Sequence, residues 1–521
     1  LTAGSKKPLI DFKWVASLIV MIGVFMGLLD STIVNIVLPK MMASLDTDTY
    51  GVQWVIISYL VASAIGMTAV GWVGATIGHR TTYILGLFLF TLLSIFCGQA
   101  ASLETMVVAR FLQGLGEGLM VPIGMTILFE VFPENQRGLA MGVYGMGASF
   151  APALGPSLGG LITEHFTWRW IFYINLPIGI IGVLLSFLLL KETKPEEEES
   201  WSFDLIGFLL MSVAFSSLLI FISKGQEKGW LQSDYIFTFM VIFAVSFTLF
   251  IMVELLTPHP LVDLRIFTSW NYTLSMIPFA LFTMSLYGVA LIMPLYLQRL
   301  KDYTTLISGV LLLPGAFSAA FAIILAGILS DRFNTKYIFL FSMGLLALLT
   351  FNLSLIDYYT PKSLLIQKHI LWNFTMAFIF PPAVSIGLKA LSKAKVNLGS
   401  SLQNATRLLT GSIGTAIAVT ILERKHDTYF ESFSNYVNYG NIVAMTTLKK
   451  LMTFLHLQGT PELLLQKKAM KLTELYVSKQ ALAYAFQSAI GWMCIFLIIG
   501  IPFIFFIRSG KNKTKGQVPL H

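Results

Sequence analysis

Charge is scarce in this chain of 521 residues: Asp, Glu, Lys and Arg together make up 12 % of it, against about 25 % in an ordinary soluble domain. So little polar surface cannot solvate a globule of this length. Cysteine is nearly absent. Cys97 and Cys494 each sit in an apolar run and read as small hydrophobes, which leaves no disulfide framework. The seven histidines show no paired metal-ligand spacing, and no GxxxxGK phosphate loop exists, so the chain is not itself an ATPase. HPLVD (259–263) has the look of an acyltransferase His…Asp pair but lies in a short loop between apolar runs, and no enzyme is expected.

Apolar length is what the chain has in abundance. It is 56 % hydrophobic, with a mean hydropathy of +0.75. The runs last roughly 18–25 residues, the length of a spanning helix, whereas barrel strands would alternate over roughly 10. About fourteen spans are read from run length. They lie near 14–37, 51–74, 82–102, 106–130, 138–162, 171–190, 203–223, 235–257, 271–298, 305–329, 336–356, 365–388, 398–422 and 485–507. Residues 4–13 before the first run resemble a signal peptide, but that run is too long and contains Asp30. It is expected to be the first span, with the numbering starting after the initiator Met.

The net charge of +8 does not call for nucleic acid, because excess Lys and Arg in cytoplasmic loops is usual in membrane proteins. With the N-terminus in the cytoplasm, that side gathers about 17 basic residues and the short outer loops about 8, so both termini are expected inside. The pattern divides into a six-helix bundle over 1–190, a charged cytoplasmic linker over 191–202 and two further spans over 203–257. A second six-helix bundle covers 258–521 and includes an outer segment, 423–484. That segment carries mixed charge and periodic leucines, which predicts amphipathic helices: either a folded cap or a docking surface.

An internal repeat is visible. GWVGATIGHR (71–80) and AGILSDRF (326–333) each run from a small-residue helix end into a short turn with an Arg, and repeated halves are typical of secondary transporters. The two segments resemble the loop motif of the major facilitator superfamily. The extra pair of spans resembles its fourteen-span drug:proton antiporter branch, the EmrB/QacA type. LLDSTIVNIVLP (28–39), RFLQGLGEG (110–118), GASFAPALGPSLGG (147–160), WRWIFYINLPIG (168–179), PLVDLRIF (260–267) and SSLQNATRLLTGSIGTA (400–416) resemble further motifs of that branch. The resemblance covers nearly the whole chain. It implies an all-α membrane protein of two six-helix bundles plus two helices, with protons as coupling ion and no resident cofactor.

The same segments have physical readings. Asp30 is a carboxylate deep in an apolar helix, where such a group is costly and faces a cavity or a partner. That suits a residue that alternately binds a proton and a cationic substrate, although a local helix-end cap is the other reading. Arg110, Gln113, Gly114 and Glu117 share one helix face. Arg110 does not deprotonate in a protein; the resemblance gives it a coupling role, and a structural anchor is the alternative. Glu117 departs from the family, which has a small residue there. It is an additional proton or cation site, or part of an ion pair that holds helices together. Ser400, Asn404, Arg407, Gly411 and Gly414 share a face of the thirteenth span, and the partner of Arg407 is not readable from sequence.

Gly147, Ala151, Gly155 and Gly159 recur every four residues and permit close helix approach, while Pro152 and Pro156 favour a bend; the stripe reads as plain helix packing or as a seal or hinge between the halves, two readings that nearly coincide. In the loop motifs, Gly71, Gly78 and Arg80 belong to the first copy and Asp331 and Arg332 to the second. Ala75 stands where the family often has Asp, so one charge–dipole contact of the first copy is missing. The resulting expectation is a proton-driven exporter of hydrophobic or amphiphilic toxic compounds in a bacterial inner membrane, working with a periplasmic adaptor and an outer-membrane channel. Exporters of siderophores, fatty acids or other metabolites, and a non-transporting receptor or scaffold, are the alternatives.

Overall fold

In a computed structural model the described residues are 11–47, 49–192, 203–258, 260, 262–392, 395–438 and 440–508, apart from a few side chains within helices. Among them there are helices and no strands. The first bundle holds α1 (Phe12–Ser44), the single turn α2 (Thr49–Val52), α3 (Trp54–Ile77), α4 (His79–Gln99), α5 (Leu103–Val131), α6 (Arg137–His165), the short α7 (Trp170–Tyr173) and α8 (Asn175–Leu189). An extra hairpin follows, α9 (Leu205–Lys228) and α10 (Asp234–Leu256). The second bundle holds α11 (Trp270–Leu295), α12 (Thr305–Arg332), α13 (Thr335–Ser354), α14 (Lys362–Ala377), α15 (Phe380–Lys389), α16 (Val396–Ser434), α17 (Ile442–Leu457) and α18 (Glu462–Phe505).

Among the described residues, thirteen helical stretches are long and apolar enough to cross a membrane. The glycine-rich α6 lies beside them between α1 and α12, which gives about fourteen spans, the number expected from run length. Large apolar side chains cover the outside, among them Leu188, Leu256, Phe321 and Phe341. In water such a surface would be an aggregation patch; in a bilayer it is the lipid face. The linker expected over 191–202 lies outside the described residues except for Lys191 and Glu192.

Two features were not in the run lengths. α16 has 39 residues and α18 has 44, about twice the roughly 20 that a bilayer needs. The segment 423–484 is therefore built mainly from continuations of two spans, joined by α17, with Leu455, Leu465 and Ala469 packed between α17 and α18. The extra hairpin is also placed with purpose. α9 packs against both α3 and α16, and Met211, Phe215 and Leu219 interleave with Ile57, Val61, Met67 and Ala405. It thus covers one seam between the two bundles. The opposite seam is α6 against α12. There Gly138 and Gly327 meet backbone to backbone: a Cβ on Gly327 would lie 2.5 Å from the Gly138 carbonyl oxygen, a separation no side chain tolerates.

Candidate functional site

Asp30, Arg110 and Gln113 come together inside the first bundle. α5 is fixed at its start by a Ser102–Thr105 capping box and carries Arg110 two turns further on. Arg110 Nη1 donates to Asp30 Oδ2 at 2.5 Å and to Gln113 Oε1 at 2.7 Å, and Arg110 Nε donates to the Val55 carbonyl at 3.2 Å. The other oxygen, Asp30 Oδ1, accepts from Asn175 Nδ2 at 3.1 Å. Ser94 Oγ accepts from Gln113 Nε2 at 2.7 Å and from Asn175 at 3.3 Å. The guanidinium lies 3.9 Å over the Tyr59 ring, and Tyr59 Oη donates to the Gly27 carbonyl at 3.2 Å. Five elements thus converge on one ion pair, of which both members are 1 % exposed. A buried pair is tolerable only with this kind of hydrogen-bonded surround.

Of the two readings, a cavity or a partner, the structure gives Asp30 a partner: Arg110 holds it inside the first bundle, and that partner is a protein cation. Asn175, Ser94 and Tyr59 complete the site and were not singled out from sequence. The Asn in YINLPIG, a lone amide inside an apolar run, was the one available signal.

Glu117, Asn404 and Arg407 form a second group, at the junction of the bundles. Glu117 is 4 % exposed and lies beside Ser63 and Tyr59. Arg407, on α16, is 6 % exposed. Each is an electrostatic neighbour of the other, but they make no ion pair, and Tyr144 and Tyr287 flank the guanidinium. Tyr144 Oη donates to Asn404 Oδ1 across the junction at 2.9 Å. Phe380 stacks on Tyr144 with ring centroids 6.0 Å apart. Tyr59 touches Arg110 on one side and Glu117 on the other, so the two groups share a wall.

The loop motifs sit where the bundles close. Asp331 Oδ1 and Oδ2 accept from the backbone N–H groups of Gly138 and Leu139 at 2.7 and 2.8 Å. A carboxylate thereby meets the positive end of α6 across the seam, with Lys389 3.7 Å away; Arg332 is exposed. The first copy, with Ala75, uses the opposite polarity. Asn397, in the first turn of α16, donates to the carbonyls of Val70 and Gly71 at 3.4 and 3.3 Å. Gly78 has φ +90, the left-handed region that favours glycine. Glu192 is folded against it, accepting from Arg80 N at 3.0 Å and Thr81 Oγ1 at 2.7 Å, while Arg80 reaches the Phe187 carbonyl. Thr126 and Ser400 hydroxyls add a further cross-bundle bond at 2.5 Å.

The contacts of the stripe on α6 are those of helix packing within the first bundle. Gly147 packs against Met21 and Gly155 against Thr32, both on α1 of the same bundle, while Gly159 is buried and its carbonyl accepts from Thr163 Oγ1. The close approach to the other bundle uses Gly138, Gly142 and Gly145 instead, against Gly327 and Ile323. At about 100° per residue the two glycine sets occupy different faces. α6 is continuous from Arg137 to His165, and the side chains of Pro152 and Pro156 lie outside the described residues.

Residues 20–415 match the Major Facilitator Superfamily. The chain belongs to that superfamily. Among relatives within it, the multidrug export protein EmrB of Escherichia coli (strain K12) is 29 % identical over 454 residues, covering 86 % of this chain and 87 % of EmrB. The fatty acid resistance protein FarB of Neisseria gonorrhoeae is 30 % identical over 424 residues, covering 80 % and 82 %. Of solved major facilitator structures, the human organic anion transporter MFSD10 overlays with a TM-score of 0.59 at 13 % identity, covering 96 % of this chain and 100 % of MFSD10. That likeness speaks for the fold alone. The superfamily makes the chain a multi-pass membrane transporter with multidrug exporters among its relatives, and points away from an enzyme.

Proposed function

We propose that this transporter is a proton-driven antiporter that exports hydrophobic and amphiphilic toxic compounds by alternating access. The observation that carries the reading is the sealed Asp30–Arg110 pair beside a junction that holds further charge. Protonating Asp30 dissolves the ion pair and leaves Arg110 a cation with its neutral partners, Gln113, the Val55 carbonyl and the Tyr59 face. A charge freed at that depth is costly, so its neighbours rearrange. Tyr59 carries the change toward Glu117 and the junction, where substrate sits. Only a difference in affinity for the two states moves the bundles, and this switch supplies one.

The names of the relatives EmrB, EmrY and Stp as multidrug proteins support the cargo class. The basic bias of the loops supports cytoplasmic termini in a bacterial plasma membrane. In that orientation the Asp331–α6, Asn397–α3 and Thr126–Ser400 contacts close the cytoplasmic end, which is the outward-facing arrangement. The projecting α16–α17–α18 segment is the surface offered to a periplasmic adaptor, itself coupled to an outer-membrane channel. The name of FarB favours a second reading with the same fold, export of fatty-acid-like metabolites.

Substrate-dependent proton movement in proteoliposomes tests the proposal. The wild type is expected to move protons when given an amphiphilic compound, and Asp30→Asn to bind the compound without moving protons. Equal proton flux in both proteins refutes the coupling role.

A further inference from the structure

Arg407 is buried in the second bundle. It makes neither a hydrogen bond nor an ion pair among the described residues. Its guanidinium nitrogens are not among the fully sealed polar atoms that lack a partner. Glu117 faces the same junction from the other bundle, likewise without an ion pair. Leaving two opposite charges buried and apart is expensive, since each has lost water and neither has gained the other. In a structural ion pair the side chains would simply meet. Here Tyr144, bonded to Asn404, and Tyr287 flank Arg407, while Tyr59 and Ser63 flank Glu117. Phe380 and Phe279 extend an aromatic wall beyond Tyr144.

We infer that the junction is a binding site for amphiphilic zwitterions, with the anionic group of the ligand on Arg407, its cationic group on Glu117, and its apolar body on the aromatic wall. The ligand completes a charge chain that the protein alone leaves open, and it does so between residues of different bundles. Its binding therefore reports on how far the bundles stand apart. A lipophilic cation satisfies Glu117 and leaves Arg407 bare; a fatty-acid-like anion does the reverse. The inference names a substrate class for the exporter proposed above and rests on that reading for its meaning, but its test is a binding measurement that needs no transport.

The probes share one C12 tail: N-dodecyl-N,N-dimethylglycine (zwitterion), dodecyltrimethylammonium (cation) and dodecanoate (anion). Binding of each below its micellar concentration is measured on the full chain in nanodiscs. The zwitterion is expected to bind at least tenfold more tightly than either single-charge probe. Arg407→Gln should weaken the zwitterion and the anion tenfold or more and leave the cation unchanged, while Arg407→Lys restores part of the loss. Glu117→Gln should weaken the zwitterion and the cation and leave the anion unchanged. The double variant, which leaves no unpaired charge and so guards against misfolding of the single ones, should bind all three alike. Equal affinity of the wild type for cation and zwitterion, or zwitterion binding untouched by Arg407→Gln, overturns the inference. If a compound still drives proton movement that depends on Asp30, the antiporter reading stands while this one falls.

Discussion

The first bundle and the junction treat buried charge in opposite ways. Asp30 and Arg110 are 1 % exposed and are held by Gln113, Asn175, Ser94 and the Val55 carbonyl. Glu117 and Arg407 are nearly as buried and have no ion-pair partner among the described residues. Arg110 and Glu117 lie on the same face of α5, seven residues or about 10.5 Å apart, so burial and helix face do not separate them. What does is the company each keeps: five elements of one bundle converging on the first pair, and the boundary between the bundles around the second. On the function proposed above, the satisfied pair is the switch that a proton trips, and on the further inference the unsatisfied one is the site that a ligand fills.

Breaking the satisfied pair should have the largest effect. Arg110→Gln strands the Asp30 carboxylate and is expected to cost about 3–5 kcal/mol, read as a lower melting temperature in detergent, together with loss of proton-coupled export. The double variant Asp30→Asn/Arg110→Gln should recover most of the thermal stability and none of the coupling. Recovery of both would make the pair structural only.

Next come the seams. Gly327→Val places a side chain where the Gly138 carbonyl already stands and should hold that end of the bundles apart, seen as a lengthened distance between spin labels on residues 134 and 334. The polar closures are smaller. Asp331→Asn removes a charge that faces the α6 terminus, worth about 0.3–2 kcal/mol, and should shift the open–closed populations several-fold. Asn397→Ala removes a neutral contact of about 1 kcal/mol and should shift them less. A larger shift from Asn397 than from Asp331 would contradict the view that the charged closure of the second loop copy is the stronger of the two. The smallest effect is expected from Arg332→Gln, whose side chain is exposed, checked by the same distances.

Much of this was legible in the sequence, for definable reasons. Span positions follow from run length because the bilayer fixes the length of an apolar helix. The repeat of 71–80 in 326–333 announced two bundles, and the face shared by Arg110 and Gln113 follows from helical periodicity. Pairing was not legible. Asp30 and Arg110 are 80 residues apart, and nothing local says that Asn175 closes the circuit. The neighbour of the Gly147 and Gly155 stripe was not legible either, because small-residue spacing shows that a helix approaches closely, not which one. The outward continuation of α16 and α18 was hidden because amphipathic helices beyond a span carry no apolar run.

The account turns on Asp30 being the group whose protonation drives export. Substrate-induced acidification or alkalinisation should be recorded in oriented proteoliposomes with wild type and Asp30→Asn, each shown folded by its melting curve and shown to bind the same amphiphile. The account predicts proton movement in the wild type and none in the variant despite retained binding. Undiminished proton movement in Asp30→Asn would contradict it.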